Sequence, residues 1–225
     1  MSEVATGLPG AGGSVVDDAL AKLEEHAPQL TRGVWREGMN DAVGFGAHAG
    51  GDGEDGIMHL SEPGCRNNPV EVLEIKGPLM IDQYGYRPDT GGPGKHRGGV
   101  GISRVYRFLA PSTAISIVYK TLTRPWGING GREAEPNHIV IDPGTENEER
   151  KGGSYNFLEA GQVLANNTGG GGGGWGNPFE RDPAKVAKDV RNGFVSAEAA
   201  ERDYGVAVDP ATFTVDTART ATLRR

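Results

Sequence analysis

Residues 68–84 read NPVEVLEIKGPLMIDQY and residues 104–120 read RVYRFLAPSTAISIVYK. Within them, 70–76, 79–84, 104–109 and 114–120 are short apolar or β-branched runs. Gly77-Pro78 and Ala110-Pro111-Ser112 punctuate them, a pattern that predicts four strands joined by tight turns. Residues 138–141 and 162–166 add two further strand candidates. Strand-length runs separated by loops, with no helical crossover between them, favour a mostly antiparallel sheet or sandwich over βαβ repeats.

Composition agrees. The chain has 225 residues and 37 glycines, against roughly 7% glycine in ordinary sequence. No Gly-X-Y period accompanies them, so the excess implies turns and close backbone contacts rather than a triple helix.

Downstream the period changes. Asp182-Pro183 is an N-cap followed by proline at the first helical position, and Asn192-Gly193 supplies a left-handed stop. Ser196 caps a second helix that runs to Tyr204 and ends at Gly205, and Asp216 caps a third that runs to Leu223. Upstream, Ser14, Asp17 and Asp18 precede Val16, Leu20 and Leu23 at helical spacing, which predicts a short N-terminal helix. Residues 33–64 are irregular and rich in glycine and aspartate, with a strand candidate at 56–60. The fold expected is α+β: a β-rich body, a short N-terminal helix and a small C-terminal helical appendage. Its divisions are a flexible tail (1–14), a helix plus irregular segment (15–60), a β-rich core (61–178) and the appendage (179–225).

The formal charge of −7 carries no electrostatic footprint for nucleic acid or an anionic membrane. No apolar run reaches the length of a membrane span or a signal peptide. Cys65 is the single cysteine, which excludes an internal disulfide framework and fits a reducing cytoplasm. Histidines 26, 48, 59, 96 and 138 lack the i, i+4 spacing of helical metal ligands, so no metal site is assigned.

Three clusters carry candidate chemistry. In Cys65-Arg66-Asn67-Asn68-Pro69-Val70-Glu71, Glu71 is a candidate base, and Arg66 and Asn67 are candidates to position an oxyanion. Cys65 reads either as a nucleophile or as a small buried hydrophobe. Lys95, His96 and Arg97 stand between glycine arms, suited either to holding an anionic group or to a solvated hairpin. The six glycines 169–174 would let backbone approach a ligand closely, or simply pack; they match neither nucleotide fingerprint. Arg124-Pro125-Trp126 places a cation beside a ring, for stacking on a planar substrate or for plugging the end of the sheet.

In chain order, RNNPVEVLE at 66–74, YGYRPDTGGPGKHRGGVG at 84–101, TRPWGINGG at 123–131, GWGNPFERDP at 174–183 and DVRNGFVSAEAAERDYGV at 189–206 resemble the C-terminal third of the hydantoinase B/oxoprolinase family. The likeness covers roughly residues 56–208. It implies a subunit of an ATP-dependent complex in which a hydantoinase A-type partner binds ATP and phosphorylates a small-molecule substrate. The B-type part then opens a cyclic amide or, in acetone and acetophenone carboxylase relatives, completes a carboxylation. A non-catalytic assembly module is the third reading. The resemblance further implies that ATP and a divalent metal are bound elsewhere in the complex, and that a separate chain supplies the N-terminal half of the B-type part. Arg66, Asn67 and Glu71 are the catalytic candidates; His96, Arg97 and Arg124 are the candidates for binding the anionic intermediate.

Overall fold

The structure, a computed structural model, describes residues 38–58 and 67–225. The expected flexible tail and N-terminal helix lie outside the described residues, as do Cys65, Arg66 and the end of the 56–60 strand candidate. Ile57 itself forms an isolated antiparallel bridge with Val43.

The body is a five-stranded antiparallel sheet. Its strands are β1 (Leu79–Tyr86), β2 (Ile102–Phe108), β4 (His138–Ile141), β5 (Glu149–Lys151) and β7 (Val163–Asn167), in the order β1-β2-β7-β4-β5. A two-stranded ribbon of β3 (Ser112–Ser116) and β6 (Ser154–Leu158) packs on one face. Between the layers lie Tyr106, Phe108, Ile139, Ile141 and Leu164 from the sheet and Leu158 from the ribbon, with Ala114 and Val118 against them. Alternation decides which side each residue takes: Ile139 and Ile141 face in, and His138 and Val140 face out.

Four expected strands are present, 138–141 with the bounds expected and the other three with ends shifted by at most two residues. The run at 114–120 stops at Ser116, earlier than its β-branched residues suggested. β5 and β6 were not anticipated, because ERK is polar and SYNFL is a five-residue run behind Gly152-Gly153. The run at 70–76 is corrected outright: it is a helix, α1 (Val70–Lys76). Seven residues are too few for apolar spacing to separate the two periods. Helix-favouring Leu73, Glu74 and Lys76, together with Glu71 in the first turn and Lys76 in the last, tip the balance. Leu73 is buried, and Glu74 accepts a 2.9 Å hydrogen bond from the Ile81 amide, which fastens α1 to β1.

Beyond one end of the sheet, segments that are neither helix nor strand run side by side and bond backbone to backbone. Gly99 N donates to Phe45 O at 2.7 Å, Gly53 N to Arg97 O at 2.7 Å, Ala47 N to Gly173 O at 3.1 Å and Ile128 N to Gly174 O at 2.9 Å. A Cβ on Gly171 would stand 1.3 Å from Gly44 O, and one on Gly99 would stand 1.8 Å from Glu54 O. Only glycine allows such approach, so much of the glycine excess is a packed backbone core. Of the two readings of the six-glycine run, close packing describes its geometry.

The three C-terminal helices form as their caps predict: α2 (Pro183–Arg191), α3 (Ala197–Tyr204) and α4 (Thr217–Leu223). The Asp182, Ser196 and Asp216 side chains accept from Ala184, Ala199 and Arg219 amides. Gly193 and Gly205 have φ of 73° and 62°, the left-handed region that stops a helix without a Cβ penalty. Val186, Val190, Val195, Ala199, Ala200, Tyr204 and Val206 give this part its own core.

Candidate functional site

The glycine core is joined to the helices by charge. Arg97 makes paired hydrogen bonds to Asp55 at 2.8 and 3.0 Å, and its Nε lies 3.6 Å from Asp189 Oδ1. Arg181 pairs with Asp52 at 2.6 and 2.8 Å and reaches Asp189 Oδ2 at 2.8 Å. Burial works against the charge on Arg181, but Asp52 and Asp189 outweigh it and hold its proton more tightly than a free guanidinium would. Burial likewise opposes the Arg97 charge, and Asp55 and Asp189 overcome it. His96 lies at the margin, its Nδ1 3.8 Å from Asp52 Oδ1 and its ring tilted against Trp175 at 5.6 Å. Arg97 is therefore a cross-brace only 3% exposed, its charge matched inside the protein.

Asn67 belongs to a second cluster, on the core face of the sheet. Arg104 of β2 donates to Asn67 Oδ1 at 2.9 Å, lies 3.1 Å from Asp41 Oδ1 and covers the Tyr84 ring at 4.2 Å. Asn67 also donates to Tyr84 OH, and Asn166 of β7 donates to Asp41. Burial pushes the Asp41 carboxyl up against the opposing pull of Arg104. Burial, then the Asp41 charge, likewise raises the Tyr106 hydroxyl. A carboxyl whose proton affinity is raised beside a fixed cation suits proton transfer. Glu71 stands exposed in the first turn of α1.

A third feature is a cleft of about 180 Å³ with glycine backbone as one wall, Gly46 and Gly171–Gly173, and Lys120, Pro125, Trp126 and Ile128 opposite. Trp126 is 74% exposed, so it does not plug the sheet; its face is open for stacking on a planar group. Arg124, two residues away, pairs with Glu135 at 2.6 Å. The candidates thus separate into a buried brace (His96, Arg97), a polar cluster (Asn67) and an exposed ion pair two residues from the cleft-lining Trp126 (Arg124). Among the described residues, no group of three or more His, Cys, Asp or Glu side chains is placed to hold a metal ion.

Sequence reading missed Asp41, Arg104, Asn166, Arg181 and Asp189. Asp41 lies in an irregular stretch and meets Asn166 across 125 positions, a distance at which no local pattern signals a partner. Asp189 is masked by its place in a regular amphipathic helix.

The pattern of the hydantoinase B/oxoprolinase family matches residues 13–178. An uncharacterized protein of Methanocaldococcus jannaschii is 39% identical over 161 residues, covering 70% of this chain and 28% of its own length. A B-type D-/L-hydantoinase polypeptide of a Pseudomonas species is 33% identical over 167 residues, covering 73% of this chain and 28% of its own. Among solved structures, the ATP-dependent caprolactamase of Pseudomonas jessenii superimposes with a TM-score of 0.69 at 29% identity, over 81% of this chain and 32% of that one. The chain spans under a third of the length of each of these three proteins.

Proposed function

This chain belongs to the hydantoinase B/oxoprolinase family, and from that premise we propose that it is one subunit of an ATP-dependent complex that opens a cyclic amide through a phosphorylated intermediate. A hydantoinase A-type partner supplies ATP binding, and a second polypeptide supplies the rest of the B-type part and a divalent metal. The Trp126 cleft receives the planar amide, and Arg124 steadies the charge that develops on it; the separate Asn67–Arg104–Asp41 cluster handles the proton.

One observation carries the assembly. The outer face of the β3–β6 ribbon bears Tyr155 and Phe157, 52% and 74% exposed, and Ile117, Tyr119 and Leu122 continue it, all exposed. Among the described residues, β3 and β6 pair only with each other and both outer edges are open. An apolar face with open edges is suited to docking further protein, and the family members matched here carry more than twice as much chain again.

The test is reconstitution. The tagged chain is co-expressed with an A-type partner and the remaining B-type polypeptide, and ATP turnover is followed with 5-oxoproline, a hydantoin or caprolactam. Amide-dependent turnover that falls at least about tenfold in N67A and R124A is the expected result, one lost donor commonly costing a few kcal/mol. Turnover that requires bicarbonate moves the chain to the carboxylase reading. A chain that neither associates nor contributes to turnover overturns the proposal.

A further inference from the structure

At the glycine end of the sheet, three cationic or polar side chains, two on strands and one just past the end of β1, come to one face. Gly85, Ser103, Asn167 and His138 are in register across β1, β2, β7 and β4. Arg87 extends that pairing, its amide donating to Gly101 O at 2.9 Å, and so shares the outer face with His138 two steps along the alternation. Arg150 pairs with Val140, two residues beyond His138 on the same side.

Arg150 Nη2 lies 2.9 Å from His138 Nδ1, and Arg87 Nη1 donates to the carbonyl of Thr168, the residue after Asn167, which is His138's partner on β7. Glu135 is the carboxylate that acts on both Arg87 and His138, and it is already paired with Arg124. Arg87, Arg124 and Arg150 against Glu135 leave an excess of two positive charges in a chain whose net charge is −7.

The ionisation of these groups carries the mark of that excess. His138 is pushed down to about 4, first by burial and then by Arg87 and Arg150. Arg87 is pushed down to about 10, chiefly by burial, with Glu135 opposing and Arg150 adding to it. The imidazole is therefore neutral at pH 7 and accepts from Arg150 through Nδ1. The buried arginines 97, 104 and 181 each have a carboxylate in contact. Arg87, half-buried, meets a backbone carbonyl instead among the described residues.

We propose that Arg87, Arg150 and His138 form a binding site for a dianionic oxyanion of the phosphate class at this end of the sheet's outer face. Two guanidiniums offer paired N–H donors in the geometry that phosphate accepts. The charge excess matches a dianion and over-compensates a single carboxylate. The ligand is inorganic phosphate or the phosphoryl group of a small ester, which share this chemistry.

Calorimetric titration of the full chain at neutral pH with inorganic phosphate, methyl phosphate and acetate tests the site without partner or ATP, so it stands apart from the proposed function. Saturable binding of phosphate that exceeds acetate is expected, and the methyl phosphate arm shows whether an ester is accepted. R87M and R150M each weaken it at least about tenfold, as loss of a charge-assisted hydrogen bond does. Arg150 is exposed on an edge strand, so R150M keeps the fold. A second readout is the NMR titration of the His138 ring, facing Arg87, Arg150, Glu135 and the Pro136 backbone. Sulfate, dianionic throughout that titration, raises its midpoint, and chloride at equal ionic strength does not. Absence of saturable phosphate binding, wild-type binding by both arginine variants, or a His138 midpoint that sulfate and chloride move alike overturns the proposal.

Discussion

Arg181 clasps Asp52, 129 positions earlier in the chain, through two hydrogen bonds of 2.6 and 2.8 Å. The same guanidinium holds Asp189, so the irregular N-terminal loop, the glycine core and α2 share one buried charge. R181M removes that charge and leaves Asp52 and Asp189 without it, at a cost of about 3 kcal/mol, the range for breaking one side of a buried pair. Urea denaturation should show the loss. Hydrogen exchange should speed up in α2 and α3 beyond its change in the sheet. A variant with wild-type stability would mean that apolar packing alone joins the helices to the body.

The glycine core makes a paired prediction. G171A and G99A introduce Cβ atoms at 1.3 and 1.8 Å from carbonyl oxygens of the neighbouring segments, so backbone must move and stability should fall by about 2 kcal/mol or more. G85A meets nothing within 4 Å and its φ is not positive, so it should be neutral or slightly stabilising. Thermal melts of the three variants decide the matter; equal midpoints would show that the segments have room to part.

Phe157→Ser and Tyr155→Ser alter an exposed face, not the core. Each should leave the melting temperature of the isolated chain within a degree or two, since exposed substitutions commonly change stability by less than about 0.5 kcal/mol. Each should reduce co-purification with the partner polypeptide and lessen any self-association of the chain. A large drop in melting temperature with unchanged co-purification would place the ribbon's outer face inside the fold's own energetics.

The His138 ring yields a pH dependence. Its proton affinity in the fold lies near 4 against an ordinary 6.5, so between those values the unfolded chain binds more protons than the native one. Stability from this group is complete above about pH 6.5 and is lost as pH falls towards 4. H138Q should flatten the fall in melting temperature across that window. A wild-type slope in H138Q would assign the dependence to other groups.

The sheet strands at 79–86, 102–108, 138–141 and 163–167 and the three capped helices were legible locally, because alternation, caps and stop glycines act within a few residues. The 70–76 run was not, because seven residues hold too little periodicity to choose between helix and strand. The candidate site was legible only in part. Asn67 lies in a polar cluster and Arg124 close in sequence to the cleft, whereas Arg97, whose neighbours in sequence suggested an anion loop, is spent on Asp55. Asp41, Arg87, Arg104 and Arg181 gave no local sign, since each acquires its role from a partner on another segment.

By itself, then, the sequence determined the β-rich antiparallel body, the helical C-terminus, the family and the need for glycine at particular stretches, all of which follow from short-range propensity or ordered motifs. The tertiary structure decided what the glycines are for and which carboxylates the buried arginines meet. Both depend on which backbone or carboxylate a residue meets across tens of positions, and that is set only when the segments pack.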